Sequence, residues 1–460
     1  MRINYSEFLS TEAKLRDASV MTLPVQKGNI SLFSGLPHPD CFPIKGLSID
    51  YLTPDSQFKK QSTLSIKDKD GEAVQGNVYE ALQYMDSKGT SFFRKWCKQH
   101  IIDFHEPSYS DWDFLVEAGA TQSTDAILRT FCDPGDIVLT DNFTYPCFVE
   151  SCKPLRVEIV PVDVDSDGVD PKQMDEILQK LTKKPKFYYA VPVGHNPLGY
   201  TMPLERKLEV YKVCQKHNIL IVEDDPYFHL QLPNEDGTPA PPVSSFFKLD
   251  TDGRVLRIDS FSKMLMPGSR CSILTANKTF IDNVLLYHDL SIHTASGPSQ
   301  LVLFSLLNQW TSHSLKDGTD KTGFTEWITN LQKHYQKRRD ILISAFEQNV
   351  SRELCSWNKP TTGMFLWLEI NLDKFPNVKA EEGMGDSEWC VYLEDLIFDT
   401  YLQNCVALAK GHWFMVDQSK LKVGFRATYA FAEEDLLVVA AERVGTALNE
   451  VHLNLYGADI

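Results

Sequence analysis

The stretch VLRIDSFSKMLMPGSR, residues 255–270, reads as an apolar strand that runs into two hydroxyls, one lysine, and then a proline, a glycine and an arginine. Lys263 follows Ser-Phe-Ser directly, and Arg270 comes seven residues later. A lysine that is only a solvated charge needs none of this company. Two readings stand: an ordinary loop lysine, or a partly desolvated amine that loses its proton near neutral pH and attaches to a carbonyl carbon. On the second reading Ser260 and Ser262 offer hydroxyls to an anion, and Arg270 clamps it through two parallel hydrogen bonds.

Outward from that stretch, strand and helix patterns alternate. DFLVEAG (113–119) reads as a strand ending in glycine, and TQSTDAILRTFC (121–132) as a helix closed by the turn DPGD. IVLTD (137–141), FYYAVPV (187–193) and ILIVEDD (219–225) read as further strands, with the helix LERKLEVYKVCQKH (204–217) before the last. Short β-rich runs separated by such helices predict parallel strands with crossover helices.

Beyond about residue 325 the texture changes. A long helix (325–350), a strand GMFLWLEI (363–370), a helix (387–404), a strand KLKVGFRATYA (420–430) and a final helix (433–451) predict a smaller α+β domain. The expected division is an N-terminal arm over 1–60, a large α/β domain with a mainly parallel sheet over 61–324, and a small domain over 325–460. The arm reads as irregular beyond a short first helix, with SGLPHPDCFPI (34–44) punctuated by proline.

Composition narrows the function. At 460 residues, with 43% hydrophobic and 23% charged, the chain can bury two cores and has ordinary globular make-up. A formal charge of −16 repels nucleic acid and anionic membranes. The ten cysteines form no CxxC pair, which predicts reduced thiols rather than a zinc site, and no metal is expected. The first residues, MRINYSEFLSTEAKLRDAS, lack an apolar core and carry acids, so the expected compartment is the cytoplasm.

Ligands of open parallel sheets sit outside the carboxyl ends of the strands. Besides Lys263, three residue groups fall there. In VEDDPY (222–227), Asp224 and Tyr227 offer a carboxylate for a ring nitrogen and a phenol for a ring oxygen, or simply form a polar turn. In GHNPLG (194–199), the Asn196 amide can reach over the sheet edge, or serve the turn alone. In EAGATQSTDAIL (117–128), Gly119 ends a strand and Ala120 and Thr121 open a helix whose free N–H groups bind phosphate, unless Thr121 is only a cap. Together they describe a site for pyridoxal 5′-phosphate.

SFSKMLMPGSR (260–270), HNPLG (195–199) and EDDPY (223–227), in this order and spacing, resemble the fold type I pyridoxal-phosphate aminotransferases. Within them the chain looks like the group of fungal aromatic aminotransferases and kynurenine/2-aminoadipate aminotransferases. The resemblance runs from ISLFSGLPHPDCFP (30–43) to FRATYAFAEED (425–435).

The resemblance implies that Lys263 holds the cofactor aldehyde and moves the substrate proton. Asp224 would pair with the ring nitrogen, Asn196 and Tyr227 would bond the ring oxygen, and Tyr145 in DNFTYP would stack on the ring. Ser260, Ser262, Arg270, Ala120 and Thr121 would hold the phosphate. This chain has Gly-Ala-Thr-Gln where the family usually has Gly-Ser-Gln-Gln, so one hydroxyl differs there. Arg426 in VGFRATYA would take the substrate carboxylate, with Lys422 a rival four residues earlier. Asn196, and Gly35 and Leu36 of the arm, would also meet substrate. Phe365 reads either as a core aromatic or as a pocket wall.

Tyr84, in ALQYMDSKG, matches a tyrosine that reaches the neighbouring subunit's cofactor, which implies a homodimer; a core tyrosine on a helix is the alternative. The implied activity is ping-pong transfer of the amino group of aromatic amino acids, and of 2-aminoadipate or kynurenine, to an oxo acid such as 2-oxoglutarate. Rival readings are a decarboxylase or lyase on the same scaffold, or a non-catalytic cofactor-binding regulator. Arg16 has two open readings, a contact for a distal substrate carboxylate or an exposed helix arginine.

Overall fold

The computed structural model describes residues 3–18, 32, 35–54, 58–67, 78–316, 323–420 and 422–457. Residues 30, 31, 33 and 34 of the family-like opening stretch lie outside them. Chain order begins with a one-turn helix α1 (Thr11–Lys14) and an antiparallel ribbon of β1 (Gly46–Leu52) and β2 (Gln61–Lys67). This ribbon spans position 60, where the arm was expected to end. Helices α2 (Val78–Leu82) and α3 (Ser91–His105) follow.

The large domain then runs through β3 (Trp112–Glu117), α4 (Ala120–Phe131), β4 (Ile137–Asp141), α5 (Pro146–Leu155) and β5 (Glu158–Val162). A small hairpin, β6 (Val164–Asp165) and β7 (Gly168–Val169), leads into α6 (Pro171–Lys180), β8 (Phe187–Ala190), α7 (Leu204–His217) and β9 (Leu220–Asp224). Next come α8 (Phe246–Leu249), β10 (Val255–Ser260), β11 (Ser272–Asn277), α9 (Lys278–Ser291) and α10 (Gly297–Lys316). Among the described residues a seven-stranded sheet takes the order β3-β11-β10-β9-β8-β4-β5.

Strands β5, β4, β8, β9 and β10 pair in parallel, and β11 runs antiparallel between β10 and β3. The pattern of mainly parallel strands is therefore the observed one. Neither β5 nor β11 was read from the sequence. Strand β11 follows β10 after a loop that holds only one 3-10 turn (Pro267–Ser269) and no crossover helix, so it carries no crossover signal and reverses direction. Core strands such as β4, β9, β10 and β11 are buried along their whole length, as a sheet covered on both faces requires.

Helix α11 (Gly323–Asn349) joins the two cores: Phe324 and Ile328 pack into the large domain, Leu342 and Phe346 into the small one. The small domain is a sheet of β12 (Cys355–Trp357), β13 (Phe365–Ile370), β15 (Gly424–Thr428) and β14 (Ala409–Lys410), in that order, covered by α12 (Asp386–Gln403) and α13 (Glu434–Tyr456). Among the described residues no helix is long and apolar enough to cross a membrane, and no group of three or more acidic, histidine or cysteine side chains is placed to hold a metal ion.

Candidate active site

Because β3, β4, β8, β9 and β10 all run the same way, their carboxyl ends share one edge of the sheet. A cavity of about 640 Å³ opens there against the small domain. It is lined by Ala120 and Thr121 after β3, Tyr145 after β4, Asn196 after β8, Asp224 and Tyr227 at the end of β9, and Ser260, Ser262, Lys263 and Arg270 after β10. Phe365 and Arg426 reach it from β13 and β15. Groups read separately along the chain thus meet in one place.

Lys263 sits half-buried in the turn after β10. Burial, then the positive charges of Arg426 and Arg270, hold its amine below the ordinary lysine pKa. The neutral, nucleophilic form therefore extends to lower pH.

Asp224 is buried, and burial pushes its carboxyl up to about 6 against the opposing hydrogen bond from Tyr189. Its Oδ2 accepts from the Tyr189 hydroxyl at 2.6 Å. Its Oδ1 is equally buried and has no partner among the described residues. A buried carboxylate oxygen left bare is costly. A protonated ring nitrogen is the donor such an oxygen lacks, so the site fits the cofactor that the sequence implies.

The phosphate end fits as well. Helix α4 starts at Ala120, so the N–H groups of Ala120 and Thr121 have no acceptor within the helix and point out with its positive dipole end. Gly119 holds φ +92°, and a Cβ there would run into the Arg270 guanidinium. Only glycine lets the strand–helix turn and the arginine approach so closely. Ser123 Oγ and Ser272 Oγ, 3.1 Å apart, tie α4 to β11 underneath. Ser260 is buried, and its Oγ accepts from the Ser262 N–H at 3.2 Å.

From the small domain the Arg426 guanidinium lies over two rings, 4.4 Å from Phe365 and 4.9 Å from Phe414. Its Nη1 donates to Asn196 Oδ1 at 2.7 Å, and its Nε is buried without a partner among the described residues. Phe365 also meets Tyr227 edge-on at 5.5 Å. Both readings of Phe365 hold: it is buried in the core and lines the cavity. Lys422 is exposed, its Nζ 5.8 Å from the Phe143 ring, and does not line the cavity.

Several residues that the sequence pointed to are not brought in. Gly35 and Leu36 are exposed and do not line the cavity; Leu36 keeps 52% of its surface in solvent because no described element packs over it. Tyr84 stands in the loop after α2, 69% exposed, with its ring edge-on to His293 at 5.9 Å, so it is not a core residue. Arg16 pairs with Glu12 and lies over the Tyr287 ring at 4.9 Å, away from the cavity lining.

Other lining residues escaped the sequence reading. Trp327, Leu331 and Tyr335 on α11, Met364 before β13, and Phe431 after β15 form an apolar wall. Trp327 Nε1 donates to Met264 O at 2.8 Å, which fixes α11 beside the Lys263 turn. Tyr189 was also missed. A tyrosine in a fully buried central strand must find a partner for its hydroxyl, and that was the available signal.

Comparison with known proteins shows the family. Residues 72–419 match the family described as aminotransferase class I and II. An aromatic amino acid aminotransferase of Schizosaccharomyces pombe is 32% identical over 445 residues, covering 91% of each chain. The mitochondrial kynurenine/alpha-aminoadipate aminotransferase of Mus musculus is 29% identical over 470 residues, covering 97% of this chain and all of its own. The crystal structure of aminotransferase Aro8 from Candida albicans superposes with a TM-score of 0.89 at 30% identity, over 98% of this chain and 99% of its own.

Proposed function

We propose, since this chain belongs to the class I and class II aminotransferases, which use pyridoxal 5′-phosphate, that it moves the amino group of aromatic amino acids to a 2-oxo acid such as 2-oxoglutarate. The observation that carries this substrate class is the cavity itself. Arg426, a fork for an α-carboxylate, shares the cavity with the apolar side chains of Trp327, Leu331, Tyr335, Met364 and Phe431, which suit an apolar ring on the same substrate. The relatives named above extend the proposal to kynurenine and 2-aminoadipate as further donors.

The bound cofactor supplies a carbonyl for the amino group and a cationic ring that accepts electrons. The rest is done by the chain. Lys263 would anchor the cofactor's aldehyde and, once displaced, its Nζ would take the proton from the substrate Cα and return it two bonds away, on the carbon beyond the nitrogen. Asp224 Oδ1 would hold the ring nitrogen protonated. Asn196 and Tyr227 would bond the ring oxygen, and Tyr145 would stack on the ring. Ala120, Thr121, Ser260, Ser262 and Arg270 would grip the phosphate. Arg426 would orient the substrate carboxylate, with Asn196 holding the arginine in turn.

Tyr84, exposed beside His293, belongs in this proposal to the cavity of a second copy. Gly35 and Leu36 stand near it through the bond from Gln83 Nε2 to Pro37 O at 2.8 Å, and they would close over substrate in that assembly. The working unit is then a homodimer.

The test is a panel of single amino donors mixed with the holoenzyme in the absence of any oxo acid. Phenylalanine, tyrosine and kynurenine should each release one equivalent of their 2-oxo acid per site. Release of carbon dioxide or of a side-chain fragment would instead favour a decarboxylase or a lyase.

A further inference from the structure

We propose that Tyr189 is a positioning residue for the transfer reaction: its phenol holds one oxygen of Asp224 so that the other is presented, as a carboxylate, to the ring nitrogen of the bound cofactor. The inference rests on the proposed role of Asp224 and goes beyond it. The Tyr189 hydroxyl donates to Asp224 Oδ2 at 2.6 Å, while Oδ1 stays buried and bare. A carboxylate gripped at one oxygen cannot swivel, so its free oxygen has one direction.

The grip is itself gripped. Tyr189 is buried in β8 and registers with Val222 of β9, two residues before Asp224. Its ring lies flat against Phe148, with centroids 3.9 Å apart and planes within 4°. Its backbone carbonyl accepts from Thr140 Oγ1 at 3.2 Å. Phe148 stands in the first turn of α5, whose N-cap is Tyr145. One helix start therefore sets both the residue placed to stack on the cofactor and, through Phe148 and Tyr189, the carboxylate placed to pair with it.

The charges around Asp224 say why a donor is needed. Tyr189 on β8, Tyr145 at the start of α5, Tyr227 after β9, and Arg257 and Asp259 on β10 all act on it. Burial and Asp259 favour the neutral acid; the Tyr189 hydrogen bond and Arg257 favour the carboxylate. Without the phenol the balance moves toward the neutral acid, which cannot hold a ring nitrogen protonated.

The test uses binding, not turnover. Apoenzyme is titrated with pyridoxal phosphate and with its 1-deaza analogue, in which carbon replaces the ring nitrogen, and affinity is read by fluorescence quenching across pH. Tyr189→Phe should weaken pyridoxal phosphate roughly tenfold, the low end for a hydrogen bond to a charged group. It should leave the analogue unchanged and move the acid limb of the pyridoxal phosphate profile to higher pH.

Equal losses on both ligands, or no loss on either, would overturn the proposal. Asp224→Asn is run beside it. If Asp224→Asn discriminates between the ligands and Tyr189→Phe does not, the role of Asp224 stands and that of Tyr189 falls; if neither discriminates, both fall. Should Tyr189→Phe not fold, Phe148→Leu, which frees the ring but keeps the hydroxyl, must show the same ligand preference at smaller size, and its absence overturns the proposal equally.

Discussion

Arg426 of the small domain and Asn196 of the large one are joined by a 2.7 Å hydrogen bond from Nη1 to Oδ1 across the mouth of the cavity. The guanidinium also lies over the Phe365 and Phe414 rings, so packing and the Asn196 bond hold it in place before substrate arrives. A lysine has the charge but not the planar fork of two parallel donors. Arg426→Lys is expected to lower kcat/KM for all amino donors by roughly tenfold to hundredfold, the worth of about 1.5–3 kcal/mol for a charge-assisted bond. Steady-state kinetics on phenylalanine and on alanine check it; a loss confined to one donor would count against a carboxylate role.

Lys263 is expected to carry the cofactor. Borohydride reduction of the holoenzyme followed by peptide mapping should place the label there, and Lys263→Ala should fold yet turn nothing over. Arg426 and Arg270 also depress its pKa, after burial, which is the larger influence. Arg426→Gln removes one of those charges, so the pKa rises and the amine form retreats to higher pH. The pH midpoint for the rate at which apoenzyme captures pyridoxal phosphate should shift upward in that variant. An unchanged midpoint would mean that the charge of Arg426 is screened from the lysine.

Beneath the site, Arg257 is buried against Glu223 at 2.9 Å, Asp225 at 3.1 Å and Asp259 at 2.7 Å. Burial alone would raise the Asp259 carboxyl, but Arg257 and His105 overcome it and hold it well below the ordinary range. A depressed acid stabilises the fold above its unfolded pKa and loses that contribution as pH falls. Arg257→Met removes the shared partner of three buried acids and should cost about 3–5 kcal/mol at neutral pH. Asp259, without the guanidinium that holds it down, would titrate higher, so acidification neutralises it and the gap to wild type should narrow. Urea unfolding at pH 8 and pH 5.5 compares the two.

Legibility in the sequence followed chain locality. Asp224 ends a strand, and Gly119, Lys263 and Asn196 follow strand ends with their own turn chemistry, and the parallel pattern of the strands brings those ends together. Tyr189, Phe148 and Phe414 carry no such mark. Each is an aromatic in an apolar run, and its role appears only when β8 lies beside β9, or when the small domain closes on the loop before Tyr145. Strand β11 was hidden for a related reason, since it reverses after the Lys263 loop instead of crossing over. The wall on α11 was hidden because Trp327, Leu331 and Tyr335 sit four residues apart on one face, which on sequence alone is a core stripe.

That wall decides the last prediction. A distal carboxylate, as in glutamate or 2-aminoadipate, needs a cation where an aromatic ring needs apolar surface. Arg16 was the candidate in the arm, but it is occupied by Glu12 and the Tyr287 ring. Arg16→Ala should therefore change kcat/KM on 2-aminoadipate and on phenylalanine by the same factor. Leu331 lies in the wall itself, on a helix held to the Lys263 turn by the Trp327 bond to Met264. Leu331→Arg places a cation against the substrate side chain at a fixed point. A charge-assisted bond worth about 1.5–3 kcal/mol should then move the ratio of kcat/KM toward 2-aminoadipate by roughly tenfold or more. A selective loss on 2-aminoadipate in Arg16→Ala would mean that the arm reaches over the cavity in the working enzyme and that the arginine leaves Tyr287 to do so. No change of ratio in Leu331→Arg would mean that the substrate side chain points away from α11, and the aromatic reading would then lose its wall.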